Sequence, residues 1–102
     1  EFLHVDDLAD ACLFLMDRWE SPEIVNVGTG SDLLIMELAK LIGSIVGFEG
    51  RLVFDRTKPD GVPRKLLDSS RLRNLGWSPT TALEDGIRQT YDWFCQHTAL
   101  PA

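Results

Sequence analysis

Seven of the ten Lys and Arg residues (Arg51, Arg56, Lys58, Arg64, Lys65, Arg71 and Arg73) fall between positions 51 and 73, with only Asp55, Asp60 and Asp68 as acidic company. The window carries a formal charge of +4 in a chain whose net charge is −6. A segregated basic patch on an acidic protein suits a compact anionic ligand. Arg grips phosphate oxygens with a two-pronged fork, and Lys adds a point charge. The plain alternative is a solvated loop whose charges serve no ligand. Three further places could carry chemistry. Gly28-Thr29-Gly30 could turn backbone N–H groups toward a phosphate, but G-x-G alone reads better as a tight turn. His4 lacks a visible partner and reads as a structural or hydrogen-bonding residue rather than a base. Tyr91 has no Lys four residues on, so it reads as core packing.

Composition narrows the classes. A chain of 102 residues with 44% apolar content is one small domain with a modest core. Its acidic balance argues against nucleic acid, which calls for a basic footprint over a whole domain. Cys12 and Cys95 lie far apart, without a CxxC or His at ligand spacing, so no metal or redox motif is formed. Both sit in helical apolar patterns, where buried reduced thiols are expected. No signal peptide and no membrane-length apolar run is visible, so a soluble cytoplasmic protein without membrane contact is expected. The chain starts at Glu1 inside an apolar pattern without an initiator Met, which reads as a fragment.

The elements that must position the basic run are short. Residues 2–5, 24–27 and 51–54 read as strands, the last with Leu52 and Phe54 alternating against Arg51, Val53 and Asp55. Asp6-Asp7 reads as the cap of a helix carrying Leu8, Ala11, Cys12, Leu15, Met16 and Trp19 on one face, broken by Ser21-Pro22. A second helix spans about 35–46, with Ser31 or Asp32 capping it from a distance and Gly47 closing it in the left-handed region. Lys58-Pro59-Asp60-Gly61 has turn chemistry, and Pro63 keeps Val62 extended. That turn is expected to place Arg64 and Lys65 across from Arg51. Asp68 reads as the cap of a short helix over 69–75 ended by Gly76. Trp77 reads as core or as a cover over the last helix. That helix begins at the capping box Thr81-Ala82-Leu83-Glu84 and runs to about 96. Residues 100–102 read as a frayed tail.

Several of these stretches resemble the GDP-L-fucose synthase branch of the extended short-chain dehydrogenase/reductase family. Glu1-Phe2-Leu3-His4-Val5-Asp6-Asp7 is similar to its E-F-[LI]-[HY]-V-D-D segment, and Asn26-Val27-Gly28-Thr29-Gly30 to its N-[VI]-G-T-G. Both are shared more widely among nucleotide-sugar enzymes, as is Leu75-Gly76-Trp77. The more specific likeness is residues 58–68, KPDGVPRKLLD, against K-P-D-G-[TV]-P-[RQ]-K-[LM]-[LM]-D. The resemblance implies a small mixed α/β domain with short strands and about four helices, the C-terminal substrate-binding part of a Rossmann-type enzyme. It also implies 3,5-epimerisation of GDP-4-keto-6-deoxy-D-mannose followed by NADPH-dependent 4-reduction to GDP-L-fucose, in a homodimeric full-length enzyme. By the same resemblance Arg51 contacts the GDP diphosphate or ribose, Lys65 lies near the nucleotide sugar, and Asp60 and Arg64 shape that wall. The dinucleotide loop, the catalytic Ser, the Tyr-x-x-x-Lys pair and the epimerising Cys and His of the family have no counterpart here. Neither Cys12, Cys95, His4 nor His97 takes such a role. No catalytic residue is therefore assigned in 1–102, NADPH is expected on a separate N-terminal domain, and the stretch alone is expected to be inactive. Leu34 stands where the family has a Ser or Thr cap, a loss of about 1 kcal/mol at that helix start. A related NDP-sugar epimerase or dehydratase, and a non-catalytic module docking an acidic partner, are the alternatives.

Overall fold

The first helix starts where a ring nitrogen replaces a missing backbone acceptor. In the computed structural model, which describes residues 1–98, the Asp6 N–H donates to His4 Nδ1 at 3.3 Å and His4 is the N-cap of α1, Val5–Arg18. The cap is thus His4 rather than Asp6-Asp7, and those two acids instead occupy the first turn, where the helix dipole favours them. The structural reading of His4 holds, and Val5 belongs to the helix, not to a strand.

The second helix, α2, runs Ile35–Val46 and opens on Leu34, which offers no side-chain cap. Neither Ser31 nor Asp32 supplies one. Glu37 reaches back instead, and the Leu34 N–H donates to its Oε2 at 3.0 Å. Gly47 closes the helix at φ 73° and the Phe48 N–H bonds Gly43 O at 2.9 Å. The short α3, Ser70–Asn74, is opened by Asp68, whose carboxylate accepts from the Ser70 N–H at 3.0 Å, and Gly76 follows at φ 104°. The last helix, α4, spans Leu83–His97 with Ala82 as its N-cap. Thr81 is not the cap of a box, because its N–H is already committed to Asp7 Oδ2 at 3.0 Å.

The expected strands are absent: among the described residues there is no strand, so the mixed α/β reading is corrected to an all-helical arrangement with extended linkers. The physical reason is visible in the partners. A strand needs a second extended backbone alongside to complete its ladder. Here the extended stretches are held by side chains instead. Asn26 Nδ2 donates to Asp68 O at 3.2 Å, Arg71 Nη1 donates to Ile24 O at 2.7 Å, and the Glu1 carboxylate takes the Leu67 N–H. Residues 51–54 form no ladder, and Leu52, Val53 and Phe54 stay exposed.

Burial is concentrated in one place. Ala11, Leu72 and Trp77 form the buried cluster, with Leu3, Phe14, Leu15, Val25 and Val27 packed around it. Trp77 is therefore core between α1 and α3, and its Nε1 donates to Asp10 Oδ2 at 2.8 Å. The remaining pair, α2 and α4, pack on each other, and α2 buries no residue fully. The result is a slab of 49 × 35 × 18 Å with a radius of gyration of 16.8 Å, against about 13 Å for a compact chain of this length. It exposes 8258 Å², where a compact protein of this mass exposes about 5,800 Å². The apolar faces expected from period are only partly used: on α1, Ala11, Phe14 and Leu15 pack, whereas Leu8, Cys12 and Met16 stay exposed. Cys12 and Cys95, expected to be buried, are exposed free thiols for this reason. Tyr91 is half-buried along the α2–α4 groove rather than in a core. The expected tail at 100–102 lies outside the described residues.

Candidate functional site

The basic window does not act as one patch. Arg71 is consumed internally: besides its bond to Ile24 O it pairs with Glu23 at 3.4 Å and lies 5.6 Å from the centroid of Trp19. Arg73 sits against the glycine turn, where a Cβ on Gly30 would come within 3.2 Å of its guanidinium. The turn after Phe54 also forms three residues early. Asp55 Oδ1 accepts from the Thr57 N–H at 2.9 Å and from its hydroxyl at 2.6 Å, so the reversal lies at 55–58 rather than at 58–61. Those bonds hold the Asp55 carboxyl below its usual range.

What the extended run 61–65 does form is one wall of an open cleft of about 850 Å³. Its other wall comes from Glu1, Phe2 and the stretch 32–37. Arg64 crosses that cleft to Asp32, with its Nη2 donating to Oδ1 at 3.1 Å and its Nε donating to Oδ2. The Arg64 bond, chiefly, holds the Asp32 carboxyl down, and Asp32 in turn holds the guanidinium up. Two of the five guanidinium N–H donors are thereby engaged, which leaves the others for a ligand. Lys65 lines the same cleft with an exposed side chain and no ion pair among the described residues. Arg51 and Asp60 are exposed and do not line it. So the structure brings together Arg64 and Lys65 of the four expected site residues, and leaves Arg51 and Asp60 outside.

The glycine turn holds an anion already, and it is internal. Gly30 N–H donates to Glu1 Oε2 at 2.8 Å, the Thr29 hydroxyl lies 3.4 Å from the same oxygen, and Leu67 N–H donates to Glu1 Oε1 at 3.2 Å. The turn reading of Gly28-Thr29-Gly30 holds, with its phosphate-facing N–H spent on a carboxylate. Sequence reasoning gave Asp32 and Asp7 only capping roles and gave Glu1 no chemical role. Asp7 is buried at the start of α1 and accepts from the Thr80 N–H, the Thr80 hydroxyl and the Thr81 N–H at 3.0–3.3 Å. Burial pushes its carboxyl up, but those bonds together outweigh it and hold the group below its usual range. No local pattern could signal these three, since their partners lie far along the chain.

A second concavity of about 550 Å³ runs between α2 and α4, apolar along Ile42, Val46, Ile87 and Phe94, with His4 and Tyr91 also lining it. Among the described residues no group of three or more His, Cys, Asp or Glu side chains could hold a metal ion. No described helix is long and apolar enough to cross a membrane.

No family model matches the chain. Individual relatives do. It is 60% identical over 97 residues to GDP-L-fucose synthase 1 of Arabidopsis thaliana, covering 95% of this chain and 30% of that protein. It is 49% identical over 106 residues to the GDP-L-fucose synthase of Escherichia coli, covering 95% of this chain and 33% of that one. Among solved structures it superimposes on a GDP-6-OMe-4-keto-L-xylo-heptose reductase from Campylobacter jejuni with a TM-score of 0.88 at 36% identity, over 96% of this chain and 31% of that one. An NADP-bound GDP-mannoheptose C4 reductase from Campylobacter jejuni matches at TM-score 0.80 and 38% identity, over 93% and 31%. The chain spans about a third of the length of these relatives, at their C-terminal end. Over that third, the chain is similar to the GDP-L-fucose synthases and to the GDP-sugar C4 reductases.

Proposed function

We propose that this chain forms the nucleotide-sugar-binding wall of a GDP-L-fucose synthase-type enzyme, which converts GDP-4-keto-6-deoxy-D-mannose to GDP-L-fucose by 3,5-epimerisation and NADPH-dependent 4-reduction. The observation that carries this is the shared cleft of Arg64 and Lys65, presented by the KPDGVPRKLLD segment. In this reading Lys65 meets the diphosphate as a point charge, and Arg64, pre-oriented by Asp32, offers its remaining donors. Arg51 and Asp60 lie outside the cleft, and their place in the site rests on the resemblance alone. The enzyme in this reading is a cytoplasmic homodimer.

In this reading NADPH is held by an N-terminal domain outside this sequence. The one strand-like glycine turn spends its Gly30 N–H on Glu1, and the carboxylate there would repel a pyrophosphate. Titration of the full-length protein with GDP, UDP and dTDP tests the reading. GDP should bind most tightly, and Lys65→Ala and Arg64→Ala should each weaken it by roughly tenfold, the loss of one charge-assisted contact. Equal affinity for the three nucleotides, or wild-type affinity in both variants, would overturn it.

A further inference from the structure

We propose that Glu1 is a positioning residue for the Arg64–Lys65 cleft: its one carboxylate ties the glycine turn at 28–30 to the loop at 65–67, and so sets where the two cations stand. The inference rests on the cleft being the nucleotide site. Each carboxylate oxygen serves a different segment. Oε2 takes the Gly30 N–H at 2.8 Å, and Oε1 takes the Leu67 N–H at 3.2 Å. Arg64 is anchored from the opposite side by Asp32. Between these ties lie the two residues whose side chains reach the cleft.

The slot for the carboxylate is built by a missing side chain. A Cβ on Gly28 would stand 2.6 Å from Glu1 Oε1 and 2.7 Å from Oε2, closer than a carbon and an oxygen approach, so the carboxylate would have to shift, and Gly28 is buried. Gly30 holds φ 82°, which turns its N–H inward. A carboxylate suits two converging N–H donors because both its oxygens only accept. An amide does not, since its NH2 would face one of those N–H groups. The internal anion also fills the seat where the turn could otherwise draw a phosphate, which directs the diphosphate to Arg64 and Lys65.

The test uses the full-length protein, GDP titration, and steady-state turnover of GDP-4-keto-6-deoxymannose. Glu1→Gln, which is isosteric, and Gly28→Ala, which expels the carboxylate while keeping it in the chain, should each raise the GDP Kd and the sugar-nucleotide KM by about tenfold, the equivalent of one lost charged hydrogen bond. Turnover at saturation should stay within about twofold, because binding rather than chemistry is disturbed. The double variant should be no worse than either single one, since both break one contact. Leu72→Val, in the buried cluster away from the cleft, controls for lost stability and should leave KM unchanged. If Lys65→Ala weakens GDP but Glu1→Gln and Gly28→Ala do not, the positioning role is overturned. It is overturned equally if the Leu72→Val control, matched in melting temperature, raises KM as much. If Lys65→Ala itself binds GDP like wild type, the cleft is not the nucleotide site and both readings fall.

Discussion

Replacing Asp7 should unfasten the two halves of the slab. Its carboxylate is buried and joins the first turn of α1 to the 80–81 loop that leads into α4, through three hydrogen bonds. Charge-assisted bonds of this kind contribute about 1.5–3 kcal/mol each, and a stranded buried donor costs about 1–3 kcal/mol. Thr80 is exposed and can turn to water, whereas Thr81 is half-buried. The expected loss for Asp7→Ala is therefore well below the full sum, about 2–3 kcal/mol. In a chain of this size that lowers the melting temperature by roughly 10–20 °C. The same bonds hold the carboxyl below its ordinary value, so its contribution is present above the unfolded-state pKa, near 3.8, and is lost as pH falls through the lower folded value. Wild type should lose stability along that acid limb, and Asp7→Asn should lack this component. Thermal and urea unfolding of both variants between pH 7 and the acid limit, followed by circular dichroism, reads each effect. A loss under about 0.5 kcal/mol for Asp7→Ala, the size of an ordinary surface change, would refute the clasp, as would an acid limb unchanged in Asp7→Asn.

Two further outcomes are expected. Leu34→Ser should raise stability by about 1 kcal/mol in urea unfolding, since α2 opens on an exposed Leu that caps nothing and Ser supplies the acceptor; no gain would mean that Glu37 already does that work. The 102-residue chain should self-associate or melt at low temperature, because Leu34, Ile35, Val53, Phe54 and Trp93 are exposed on a slab with a three-residue buried cluster; sedimentation showing a monodisperse monomer with a high melting temperature would contradict this.

Helices were legible because period 3.6 shows in the chain itself. The bounds of α2 and the αL closure at Gly47 are local facts, and the sequence carries them. Which face is apolar was also local, but whether anything covers that face is not. Hence Cys12 and Cys95 lie open where burial was expected. The strands failed for a related reason: alternation at 51–54 marks a segment able to pair, and pairing depends on a neighbour that no local pattern reports. At the site, residues 61–65 were legible through their motif, whereas Glu1 and Asp32 meet partners up to 66 and 32 residues away. Arg51 was placed opposite Lys65 on the assumption of a turn at 58–61, and the Asp55–Thr57 turn moved the reversal earlier.

The most direct test of the account is NADPH oxidation by the full-length protein supplied with GDP-4-keto-6-deoxymannose, comparing wild type with Lys65→Ala and Arg51→Ala. The account predicts turnover by wild type and a loss in Lys65→Ala that falls mainly on substrate affinity; a matching loss in Arg51→Ala would bring that residue into the site as well. A silent wild type would contradict the assignment of substrate, and turnover with Lys65→Ala indistinguishable from wild type would contradict the assignment of the cleft.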